Sequence, residues 1–157
     1  MPPAVYVETT ILGYLTARRT RDLVAAARQQ VTREWWAARR GRYALYVSEL
    51  VLAEAALGDP DAAARRLAAA QGIPLLEPTP AVAALAAALR ARARLPERAA
   101  ADAVHVALAA VHGVDYLLTW NLRHIANAEL RPAMEAACRA AGYAPPVIAT
   151  PDELMGG

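Results

Sequence analysis

Four polar residues interrupt otherwise apolar stretches of this chain: Glu8 in AVYVETT, Glu54 in SELVLAEA, Asp102 in RAAADAVHVALAA and Asn121 in DYLLTWNLRH. A carboxylate in apolar surroundings is costly unless it is paired, hydrogen-bonded or bound to a cation. Three such carboxylates and an amide are expected to form one site. The donors are hard oxygens in a chain with one cysteine and three histidines, which suits Mg²⁺ or Mn²⁺ rather than a structural zinc. A cation held in this way can activate water and stabilise charge on a phosphodiester under attack.

Each residue also has a structural reading. Asp102 could interact with a helix N-terminus, Glu54 could form a salt bridge at the edge of an apolar face, and Asn121 could serve a turn. Glu8 has no such ready alternative, because a carboxylate that ends an apolar strand seldom has a packing role. His105 shares a helix face with Asp102, three residues on, and is expected in the core or supporting a site residue. His124, after Asn121, could help the site or cap a helix, the cap being the stronger reading, and His112, before Gly113, fits a helix C-terminus. Ser48 lacks a Gly-x-Ser-x-Gly turn and reads as an N-cap rather than a nucleophile.

The elements that must position these residues alternate between strand and helix. Val5 to Val7 predict a strand ending at Glu8, and Thr9 and Thr10 can cap a following helix. A long helix is predicted from about Leu23 to Arg39, then a strand from Tyr43 to Val47. Ser48 caps a helix that carries Glu54 and stops at Gly58. Further helices are predicted from Pro60 to about Ala70, Pro80 to about Arg94, Glu97 to His112 and over 127–141. Short strands are expected at Ile73–Leu76, Tyr116–Thr119 and Val147–Ala149, and a helix including Leu122 and Ile125 after Asn121. This alternation implies right-handed crossovers and an α/β fold with a helix-covered parallel sheet. Ligands in such sheets bind beyond the carboxyl ends of the strands, so Glu8 and Asn121 should rise on one rim.

A chain of 157 residues suits a single domain spanning 1–157. Alanine makes up about a quarter of it and favours helix. No run approaches the ~20 apolar residues of a membrane span, and Glu8 interrupts the N-terminal apolar stretch, so no signal segment and a cytoplasmic home are expected. Cys138 is the only cysteine, which excludes an internal disulfide and fits a reducing compartment. All 17 basic residues are arginines. Eight of them fall between Arg18 and Arg42 against Asp22 and Glu34, leaving that segment at +6 and the remainder at −4. Such an arginine segment could grip a polyanion, its alternative being a solvated helix face. Trp35, Trp36 and Tyr43 beside it could stack on bases or pack the long helix.

These motifs together resemble the PIN-domain nucleases, and among them the VapC-like toxins of toxin–antitoxin pairs. The resemblance spans nearly the whole chain. It is carried by the order and spacing of VYVETT, SELVLAE, DAVHVALA and DYLLTWN. It implies a parallel-stranded α/β/α sandwich, Mg²⁺-dependent (or Mn²⁺-dependent) cleavage of RNA, a homodimer and a cognate antitoxin protein. By the resemblance Glu8, Glu54 and Asp102 match the metal-binding acids, Asn121 stands where a fourth acid is common, and Thr119 matches a polar residue at the end of its strand. Asn121 would complete the catalytic set by orienting the attacking water. Two departures stand out: Glu8 is one methylene longer than the usual Asp, and Asn121 removes a charge. They raise an alternative, a catalytically weakened PIN-like module that binds nucleic acid or protein.

Overall fold

The computed structural model describes residues 1–156. Five strands form one sheet: β1 (Ala4–Val7), β2 (Ala44–Ser48), β3 (Leu75–Leu76), β4 (Tyr116–Leu118) and β5 (Val147–Ala149), in the order β3-β2-β1-β4-β5. Every pairing is parallel, with Tyr6 opposite Tyr46 on one side and opposite Leu117 on the other. Parallel strands need helical crossovers and are buried on both faces, so they read as continuous apolar runs. Val5, Tyr6, Val7, Leu117 and Leu118 are all fully buried.

The helices are α1 (Thr9–Thr16), α2 (Leu23–Ala38), α3 (Glu49–Ala55), α4 (Pro60–Ala70), α5 (Pro80–Ala93), α6 (Ala100–Val111) and α7 (Arg131–Ala140). α1 packs against α2, α3 and α4, whereas α5 packs against α6 and α7. The result is an α/β sandwich. Alanines allow the close α5–α6 approach: Ala103, Ala107, Ala109 and Ala110 of α6 are all buried. Trp35, fully buried on α2, stacks on Tyr43 with ring centroids 5.6 Å apart, so the aromatic group beside the arginines packs the helix.

Several boundaries differ from the sequence reading for local reasons. The helix expected over 127–141 begins only at Arg131, because Asn127 Oδ1 accepts from the backbone of Glu129 and Leu130 and makes a turn first. Leu122 to Ile125 form turns rather than a helix. Pro74 leaves β3 only two residues long. Among the described residues no helix is long and apolar enough to cross a membrane.

The chain places β1, β2 and β3 outward to one side, then crosses to β4 and β5 on the other side of β1. The reversal leaves a crevice between the carboxyl ends of β1 and β4, where ligands of open parallel sheets bind. Glu8 and Thr119 are the residues that follow those two strands.

Candidate metal centre

Glu8 leaves β1 in an extended conformation (φ −79°, ψ 158°) and is itself the N-cap of α1. The cap expected from Thr9 and Thr10 is thus supplied by the carboxylate, and the two hydroxyls serve carboxylates instead. Glu8 Oε1 accepts from Thr10 Oγ1 at 2.5 Å, from Thr119 Oγ1 at 2.6 Å and from the Thr10 amide at 3.2 Å. Only 3% of the residue is exposed. Burial pushes the Glu8 carboxyl above its ordinary pKa, against the opposing pull of His105 and of these hydrogen bonds.

Glu54 comes from α3, which starts at the end of β2 because Ser48 Oγ accepts from the Val51 amide. Its Oε1 accepts from Thr9 Oγ1 at 2.5 Å and lies 2.7 Å from His105 Nε2. Burial alone would raise this carboxyl, but the hydrogen bond and charge of His105, with the Thr9 hydroxyl, hold it below the usual range. His105 is fully buried, and its Nδ1 lies 2.7 Å from the Tyr6 hydroxyl, which lies 2.7 Å from Ser48 Oγ. These contacts form one buried chain, from Ser48 through Tyr6 and His105 to Glu54, in which Nε2 donates to the Glu54 carboxylate. Burial raises the Tyr6 phenol pKa far above the usual range, keeping its proton in place.

Asp102 stands in the first turn of α6. Its Oδ1 accepts from Asn121 Nδ2 at 3.0 Å, and its Oδ2 lies 3.1 Å from His124 Nδ1. Burial raises the Asp102 carboxyl pKa, with His124 and His105 opposing. Asn121 follows β4 by three residues and does two jobs, since its Oδ1 also accepts from the His124 amide. The turn role expected of Asn121 is therefore realised, and its amide also meets Asp102 in the cleft. Of the two roles open to His124, the structure shows a contact with Asp102 rather than a helix cap.

Glu8, Glu54, Asp102 and Asn121 line a single cleft, together with Thr9, Thr10 and Arg66. Ligand atoms of Glu8, Glu54 and the buried His105 behind the cleft lie inside 4.8 Å of one another, a cluster that does not include Asp102. His105 is better read as holding Glu54 than as a ligand, because both its nitrogens are occupied and it has no exposed surface. The hydrogen bonds to Glu8 and Glu54 all end on Oε1; among the described residues none ends on either Oε2. Nor does Glu8 form an ion pair there. Two neighbouring carboxylates, each anchored by one oxygen and free at the other, fit a divalent cation by donor chemistry and by charge.

Sequence reasoning missed Tyr6 and Arg66. Tyr6 sits in an apolar strand and looks like core, while Arg66 looks like one of many helical arginines. The basic segment, by contrast, does not reach this cleft: none of its arginines is among the lining residues. Arg33 donates to the carbonyls of Leu15 and Ala17, Arg28 packs over Trp120, and Arg40 packs over Trp36.

Compared with known families, residues 5–130 match the PIN domain. The chain belongs to the PIN-domain family. No curated protein and no solved structure gives a significant match. PIN membership, together with the carboxylate cluster, supports a nuclease fold with a metal-binding active site and hydrolase activity in general terms.

Proposed function

We propose that this PIN-domain protein is a Mg²⁺- or Mn²⁺-dependent endoribonuclease of the toxin–antitoxin type. Glu8, Glu54 and Asp102 would hold the metal, and Asn121 would complete the catalytic set. The observation that carries the reading is the juxtaposition of Glu8 and Glu54, each with one oxygen unspent, in a cleft shared with Asp102 and Asn121. When bound, the cation would polarise the phosphodiester and ease deprotonation of water. The chain's own residues do the rest. Thr10 and Thr119 fix Glu8, Thr9 and His105 fix Glu54, and Asn121 and His124 fix Asp102, so the carboxylates are arranged before substrate arrives.

The toxin role, a homodimer and a cognate antitoxin follow from the same resemblance, a cytoplasmic setting follows from the single cysteine, and all belong to this proposal. The weakened binding module is favoured by one observation, that both oxygens of Asp102 are already engaged by Asn121 and His124. Cleavage of RNA by purified protein separates the two. Mg²⁺-dependent cleavage that EDTA stops and Asp102→Asn removes supports the nuclease. RNA binding without cleavage in the wild type would support the module. Co-purification with the product of an adjacent small reading frame tests the toxin assignment.

A further inference from the structure

Among the described residues Arg66 is the only arginine that lines the acidic cleft. It projects from α4, where its Nε donates to the Ala55 carbonyl at 3.0 Å and its Nη2 to the Leu57 carbonyl at 2.5 Å. The guanidinium is thereby clamped to the carbonyl end of α3, where the helix dipole favours a cation. Its sequence neighbour Arg65 does a similar job on Thr16 but does not line the cleft.

These two acceptors are neutral, so the clamp fixes the group without cancelling its charge. Among the described residues Arg66 forms no ion pair, although Glu54 and Asp102 line the same cleft. A guanidinium has five N–H donors, so the clamp leaves Nη1 uncommitted. An arginine beside carboxylates ordinarily collapses onto one of them; the carbonyl clamp prevents this and leaves the positive charge to be met by an incoming anion. A polyanionic strand entering a cleft of carboxylates also needs a fixed cation to orient it, and none of the arginines between Arg18 and Arg42 lines it.

We propose that Arg66 is the phosphate-contacting residue of the cleft, donating to a non-bridging oxygen of an RNA backbone phosphate beside the acidic cluster. The nature of the anion rests on the nuclease reading. The choice of residue rests on the cleft and the clamp.

The test measures binding of a short single-stranded RNA to the full chain, with Ca²⁺ replacing Mg²⁺ to hold off cleavage, across a salt series. Arg66→Gln should weaken binding roughly 10- to 100-fold at low salt. It should also make the plot of log K against log salt shallower by about 0.7, the share of one phosphate contact on a single strand. Arg66→Lys should keep the wild-type slope, with reduced affinity because lysine loses the double carbonyl grip. If the residue only staples α4 to α3, both variants lose thermal stability alike and neither changes the slope in the folded fraction, which overturns the proposal. A wild type that binds RNA in Ca²⁺ and still does not cut it when Mg²⁺ or Mn²⁺ is restored overturns the nuclease reading while Arg66 stays readable in the slope. A wild type that binds no RNA overturns both.

Discussion

Glu8 and Glu54 on one side of the cleft differ from Asp102 and Asn121 on the other in how they are anchored. The first pair is tied into the interior: Glu8 to Thr119 at the end of β4, and Glu54 through His105 to Tyr6 of β1 and Ser48 of β2. The second pair lies where α6 begins and where a turn follows β4, and its polar partners bond to one another. One side is therefore held by the sheet itself, leaving a free oxygen on each carboxylate. On the other side Asn121 spends its amide on Asp102, as a cation could otherwise do. The difference is one of anchoring: the sheet-anchored half fixes position, and the turn half neutralises charge within itself.

The largest effect should come from the sheet-anchored side. Glu8→Gln removes a buried charge beside Glu54 and should lower Mg²⁺-dependent cleavage about 1,000-fold, the scale of losing a principal electrostatic group. Its effect on the chelated protein should have the opposite sense. Because burial raises the folded pKa of Glu8, its ionised form costs stability as pH rises through that value. Denaturant melts in EDTA should therefore find the variant more stable than wild type at neutral pH, with the advantage vanishing below the ordinary carboxylate range. An equal offset at all pH values would contradict this.

On the turn side, Asn121→Asp replaces a donor to Asp102 with a second negative charge. Titration calorimetry should show Mn²⁺ bound about tenfold tighter, as an added ligand charge gives, while the metal-free protein melts lower. Unchanged Mn²⁺ affinity would mean that Asn121 stands outside the ion's reach.

The smallest effect should come from the relay behind Glu54. Tyr6→Phe strands the His105 Nδ1 and the Ser48 hydroxyl in the core and should cost about 1–3 kcal/mol of stability. Cleavage should fall only a few-fold, since Thr9 still holds Glu54. A loss as large as that of Glu8→Gln would show that the relay itself takes part in the chemistry.

Much of this arrangement was legible in the chain. The five strands announce themselves as short apolar runs, and Ser48, Asp59-Pro60 and Gly58 mark helix ends as capping chemistry requires. The four polar interruptions do line one cleft, because three of them follow strand ends or start helices at the same sheet rim. What was hidden depends on contacts between residues remote in sequence. Tyr6 looks like any strand aromatic until α6 brings His105 to it, 99 positions later. Arg66 acquires meaning only when α4 meets the end of α3. The arginines between Arg18 and Arg42 carry a related lesson: net charge along a segment says nothing about where its guanidinium groups are spent, and here carbonyls take Arg33 while indole rings take Arg28 and Arg40.

The most direct measurement is anomalous diffraction from crystals soaked in Mn²⁺. One strong peak bounded by the carboxylates of Glu8, Glu54 and Asp102, absent from Glu8→Gln crystals, is the expected result. A cleft that stays empty at saturating Mn²⁺, or an ion bound away from Glu8 and Glu54, would contradict the metal centre on which the nuclease reading depends.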